Sequence, residues 1–203
     1  MKRESAWRTY SPEAVTELNE LNEKYKAFLD AGKTERECVK YTVELAEAAG
    51  YEDLNDYINT GRTPEAGAKL YAVGMDKMIA MFRLGNQPVS AGMNILGAHI
   101  DSPRLDVKQN PLYENEDMAY LDTHYYGGIK KYQWVATPMA IHGVVAKTDG
   151  SIVEIVIGED DNDPVFVFTD LLIHLAQKQL TKSGATVVEG EKLDLLIGNR
   201  PIA

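Results

Sequence analysis

The run Asn94-Ile95-Leu96-Gly97-Ala98 constrains the chain more than any other stretch. It is short, nearly all apolar and rich in small residues, as expected for a central strand covered on both faces. Such a strand needs layers above and below it, so the expected class is α/β with a sheet at its heart. Residues 69–73, 78–83 and 93–100 read as three strands, joined by turns at Gly74-Met75-Asp76 and Gly85-Asn86-Gln87-Pro88.

Two helices precede them. Over residues 11–31, Ser11 caps, Pro12 suits the first helical position and Glu13 complements the positive end of the dipole. Val15, Leu18, Leu21, Tyr25 and Phe28 recur every three or four residues and predict one buried stripe, and Gly32 supplies the stop. In the next helix Thr34 and Glu37 form a capping box; Cys38, Leu45 and Ala49 mark its apolar side and Gly50 closes it. Cys38 reads as a core residue rather than a nucleophile, because a reactive thiol needs exposure and a depressed pKa.

In the second half, residues 134–146, 151–157 and 165–168 read as strands, followed by a helix over 170–182 and a short strand over 193–197. The acidic turn Gly158-Glu-Asp-Asp-Asn-Asp-Pro164 lacks the central Gly and terminal Glu of an EF-hand calcium loop. Asp and Glu number 31 against 21 Lys and Arg, a net charge of −10, which speaks against a nucleic-acid binder. The single Cys excludes a disulfide framework and a Cys-rich zinc finger. No run approaches the roughly 18 apolar residues of a membrane span. The charged start lacks the apolar core of a signal peptide. The expectation is a soluble, cytoplasmic protein with no nucleic-acid or membrane partner.

Gly97-Ala98-His99-Ile100-Asp101-Ser102-Pro103-Arg104-Leu105-Asp106 carries the chemistry. A small apolar strand delivers His99 at its C-terminal end, where α/β proteins place ligands. A neutral imidazole is a good zinc ligand, and a carboxylate two residues on can hold the other ring N–H and fix the tautomer. The ordinary alternative is a His and an Asp ending a strand in solvent. Asp122 and His124 repeat the pair in reverse, and with His99 and Asp101 form a candidate mononuclear site. His142 sits on an apolar strand and reads as a satisfied structural histidine.

This decad, with Asp122-Thr-His-Tyr-Tyr-Gly-Gly-Ile129, Ile157-Gly-Glu-Asp160 and Thr169-Asp-Leu-Leu-Ile-His-Leu175, resembles the aspartyl-aminopeptidase-like family of dinuclear zinc aminopeptidases, its bacterial members above all. The likeness runs from about residue 60 onward. It implies the N-terminal part of an α/β/α catalytic domain over residues 1–106. It also implies an inserted β-rich dimerisation domain over 107–203. By the same resemblance His99 is a zinc ligand, Asp101 is the carboxylate that orients it, and His174 reaches a neighbouring subunit's substrate. His174 on a helix face at a domain surface is the plainer alternative. The cofactor implied is zinc, two ions per complete site, with other divalent metals as alternatives.

The partners implied are short peptides, a homo-oligomer up to a dodecamer built from dimers, and the C-terminal part of the enzyme. The family's further ligands and its Glu general base have no matching segment in these residues, so the chain reads as the first portion of an aminopeptidase, inactive alone. Arg104 and Lys108 could meet a substrate carboxylate, or serve in ordinary salt bridges. Two other readings stay open: a non-catalytic oligomerisation fragment, and a self-contained mononuclear metal hydrolase.

Overall fold

Ser11 opens α1 (Pro12–Ala31) by accepting the Ala14 amide at 3.2 Å. Thr34 opens α2 (Glu35–Ala48) with the full capping box: the Glu37 amide reaches the Thr34 hydroxyl, and Glu37 Oε2 accepts the Thr34 amide at 2.8 Å. Both starts follow the sequence, because a cap needs only residues three apart. The computed structural model describes residues 4–200. The charged start at residues 1–3 and the closing residues 201–203 lie outside the described residues. The chain forms two units, the first ending at Asp101 and the second beginning at Ser102, a few residues before the boundary expected at 106.

In the first unit, β1 (Glu52–Asp53) leads into α3 (Leu54–Thr60), neither anticipated; Asp53 caps α3 and Gly61 ends it in the left-handed region. β2 (Lys69–Gly74) and β3 (Met78–Arg83) pair antiparallel in the expected hairpin, and β1 lies parallel to β2. Met75 and Asp76 turn the hairpin at φ of 53° and 56°, the two positive values of a type I′ turn. Arg36 of α2 grips that turn through Asp76 Oδ2 at 3.2 Å. Tyr71 of β2 donates to Glu47 of α2 at 2.8 Å. Cys38, Val39, Ala46, Leu70 and Tyr71 are the buried residues here.

Three expectations for this unit are corrected. The α1 stripe is only partly covered: Val15, Leu18 and Phe28 are half-buried, whereas Leu21 and Tyr25 are exposed. Periodicity fixes which face is apolar, and burial requires a second surface to meet it. On α2 the buried residues are Cys38, Val39 and Ala46, while Leu45 and Ala49 are exposed. Residues 93–100 form no strand, and Leu96 is fully exposed. A strand exists only where a neighbour completes its ladder, and none of the described strands pairs with it.

The second unit contains a five-stranded antiparallel sheet in the order β4-β5-β10-β9-β6. These are β4 (Arg104–Asn115), β5 (Met118–Tyr126), β6 (Pro138–Met139), β9 (Phe166–Phe168) and β10 (Leu195–Gly198). A separate ribbon pairs β7 (Ile141–Ala146) with β8 (Ile152–Ile157). Phe166, Phe168, Leu193 and Leu195 make the core, joined by Leu105, Leu121 and Val135.

The β4–β5 hairpin was not anticipated, and it places Tyr125 and Tyr126 at the end of a strand. The expected strand over 134–146 is divided. A short 3-10 turn, Lys131–Gln133, precedes it, and within it Ala136 takes a positive φ of 56°. The chain then leaves one sheet for the other at Ala140. Gly158 (φ 102°) permits this crossing, since a Cβ there would lie 3.0 Å from the Ala140 Cα.

The expected helix over 170–182 is a series of turns. Leu171, Leu172, Ile173 and Leu175 are exposed, and a short helix that buries no apolar face gains little. Asp170 Oδ1 instead accepts the Leu171 amide and Gln179 Nε2, both at 2.8 Å. Among the described residues no helix is long and apolar enough to cross a membrane.

Candidate metal centre

His99 lies in residues 92–103, a tract with neither helix nor strand. Its side chain is 85% exposed, and its Nδ1 lies 3.0 Å from Asp101 Oδ1 and 3.1 Å from the Asp101 carbonyl oxygen. Both neighbours are acceptors, so Nδ1 carries a proton, and in the neutral ring Nε2 then keeps its lone pair. That is the tautomer a metal-ligating imidazole adopts when a carboxylate holds its other nitrogen. Between them in sequence, Ile100 offers its carbonyl oxygen to the Cys38 thiol at 3.8 Å. Burial pushes the Cys38 thiol up from its ordinary pKa, and Glu37 and Glu35 add to the shift. The buried Cys38 is thus a core residue, as its place in α2 predicts.

The pair suits one corner of a zinc site. A catalytic zinc takes about three protein ligands. Among the described residues no group of three or more His, Cys, Asp or Glu side chains is placed to hold a metal ion.

Asp122 and His124, the rival ligands, are engaged elsewhere. Asp122 Oδ1 binds Lys108 Nζ at 2.8 Å, and His124 Nδ1 meets Glu191 Oε1 at 3.2 Å. Lys108 also reaches Glu191 Oε2 at 3.3 Å, and the Asp122 carboxylate holds its ammonium above the usual pKa. The result is a polar chain that ties the β4–β5 hairpin to Glu191, not a ligand set. Glu191 is the member that sequence reasoning missed, because no local spacing links it to His124.

Arg104 is also engaged: its Nε lies 2.7 Å from Asp106 Oδ1, and its guanidinium stacks 4.4 Å over the Tyr126 ring. His142 is half-buried and pairs with Glu159 at 2.9 Å, the satisfied role expected of it. His174 is exposed within the turns that follow β9. In the acidic turn Asp163 Oδ2 accepts the Gly158 amide at 2.7 Å and the Asp160 amide at 3.3 Å, so this carboxylate closes the loop.

Residues 28–199 match the family described as Aminopeptidase I zinc metalloprotease (M18). The chain is 52% identical over 198 residues to a probable M18 family aminopeptidase 1 of Clostridium acetobutylicum, covering 98% of this chain and 43% of that protein. With its Thermotoga maritima counterpart it shares 40% identity over 203 residues, 100% of this chain and 43% of the relative. The crystal structure of the T. maritima M18 aminopeptidase superposes with a TM-score of 0.89 at 39% identity, covering 100% and 43% of the two chains. That of aminopeptidase I from C. acetobutylicum gives 0.82 at 52% identity, covering 97% and 43%. An S. cerevisiae mApe1 dodecamer shares the fold alone, with a TM-score of 0.64 at 18% identity and coverage of 87% and 38%. The chain therefore has the mixed α/β architecture of solved M18 aminopeptidases and spans less than half the length of the curated relatives it matches.

Proposed function

Since this chain belongs to the M18 family of aminopeptidase I zinc metalloproteases, we propose that it supplies the first part of a metalloaminopeptidase that removes N-terminal residues from short peptides. The observation that carries the reading is the His99–Asp101 pair at 3.0 Å. Asp101 accepts the hydrogen bond from Nδ1–H, fixes the ring and leaves the Nε2 lone pair for a metal. His99 is then one ligand of a site that holds two zinc ions. Bound zinc would supply Lewis acidity toward the scissile carbonyl and toward a water. The further ligands and the general base come from sequence outside these 203 residues.

In the same reading residues 1–106 are the opening of an α/β/α catalytic domain and residues 107–203 an inserted β-rich dimerisation domain. His174, exposed in that second region, reaches the substrate of an adjacent subunit. The enzyme is cytoplasmic and assembles from dimers into a dodecamer, an arrangement whose support is the dodecameric state of the S. cerevisiae structure that shares the fold.

Native mass spectrometry of the purified protein and cleavage of a short peptide test this together. Zinc-dependent cleavage is expected where the complete ligand set is present, and His99→Ala abolishes it; retained cleavage overturns the assignment. A second reading, a non-catalytic assembly fragment, is favoured by the exposed run Leu171, Leu172, Ile173 and Leu175. It requires association that is indifferent to zinc and chelator, with no cleavage in any assembled state.

A further inference from the structure

The tract that carries His99 has no ladder hydrogen bonds to hold it, so its position must come from side chains packed against it. The Cys38 thiol is one of them. Sγ lies 3.8 Å from the carbonyl oxygen of Ile100, the residue between His99 and Asp101, and 3.5 Å from the Gly32 carbonyl oxygen. Cys38 is itself firmly placed: it is 6% exposed and stands in the first turn of α2, where its amide donates to the Thr34 carbonyl at 2.9 Å. The space it fills exists because residue 32 is glycine. A Cβ on Gly32 would come within 2.7 Å of Sγ.

We propose that Cys38 is a positioning residue for His99: its thiol, shared between the Gly32 and Ile100 carbonyl oxygens, fixes the Ile100 carbonyl against α2 and so keeps the imidazole and the Asp101 carboxylate in register. The inference rests on the reading of His99 as a zinc ligand for its significance. Its structural content stands apart from any metal. Burial keeps the thiol protonated and able to donate. The contact is individually weak, so its effect falls on alignment more than on stability.

The tautomer of neutral His99 is the readout, followed by nitrogen NMR on the full chain above the imidazole's titration range. The parent carries its proton on Nδ1, facing Asp101. Cys38→Ala removes the donor and leaves a void, and Gly32→Ala drives a methyl group onto the thiol. Both are expected to move the population toward the Nε2–H form. Cys38→Ser keeps a donor and holds the parent tautomer, even where its thermal stability falls as far as that of the alanine variant. A parent-like tautomer in both alanine variants overturns the proposal, and so does a serine variant that shifts with them.

Zinc added to the enzyme with its complete ligand set separates this proposal from the reading beneath it. A His99 ring indifferent to zinc there overturns the ligand assignment, while the tautomer result still decides the role of Cys38. Where the ring responds, Cys38→Ala weakens zinc binding by about tenfold, the low end for partners behind a ligand.

Discussion

In the unit that begins at Ser102, Phe166, Phe168, Leu193 and Leu195 close on one another from strands that the chain reaches by separate routes. In the unit that ends at Asp101, Met93, Ile95 and Leu96 stand exposed beside the candidate zinc ligand. The first arrangement is held by long-range apolar burial. The second combines a small buried set around Val39, Ala46 and Leu70 with two helix caps, a hairpin turn, and the polar ties Arg36–Asp76 and Tyr71–Glu47. The residues with metal-site character therefore lie on the less embedded backbone. This contrast leaves the precision of the first unit's site dependent on a few side-chain contacts.

The sharpest way to break the contrast is to open the closed core. Leu193 is 2% exposed, and its carbonyl accepts the hydroxyl of the buried Thr123. Leu193→Ala is expected to cost about 2–5 kcal/mol, the usual range for a buried leucine left as a cavity. Urea unfolding gives the magnitude, and amide exchange locates it: protection falls over β9 and β10. A cost below about 1 kcal/mol, the level of a substitution away from any core, would show that this core is not what orders the sheet.

The matching test in the first unit removes a cap. Thr34→Ala deletes one half of the capping box and is expected to cost about 1–2 kcal/mol. The loss appears as faster amide exchange in the first turn of α2, including Cys38. An effect as large as that of Leu193→Ala would erase the distinction between a unit that leans on its caps and one held by its core.

What the sequence made legible follows the same division. Ser11, Thr34 with Glu37, and the Gly74-Met75-Asp76 turn were readable because each acts on residues at most four positions away. His99 with Asp101 was readable for the same reason. The strand expected at 93–100 and the full burial of Leu21 and Tyr25 were not, because apolar character states a need for a partner without supplying one. The β4–β5 hairpin escaped notice because Glu116 and Asp117 make its turn at φ of 52° and 59° without a glycine. Pro111 and several charged residues further obscure the alternation in β4. The Asp122–Lys108–Glu191–His124 chain was invisible because Glu191 reaches the hairpin only through the fold of the second unit.

The finest comparison sets one tyrosine in each unit against the other. Tyr71 donates to Glu47 and Tyr113 to Asp194 at 2.7 Å, and each hydroxyl is pushed up to about 12. For Tyr71 the bond to Glu47 is the leading cause, and for Tyr113 it is burial. Unfolded tyrosine ionises near pH 10. Between about 10 and about 12 the unfolded chain therefore releases protons that the native state retains, so stability must fall as pH rises through that window. It is fully present below pH 10. At neutral pH Tyr71→Phe and Tyr113→Phe are each expected to cost only about 1 kcal/mol. Each flattens part of the alkaline decline in stability and removes one late-titrating phenol from the ultraviolet titration. The causes differ, and so do the second variants. Glu47→Gln should bring the Tyr71 titration most of the way back toward 10, because the charge and its hydrogen bond dominate there. Asp194→Asn should leave Tyr113 still raised, because burial remains. Equal recovery in the two would mean that the units hold their tyrosines by the same means.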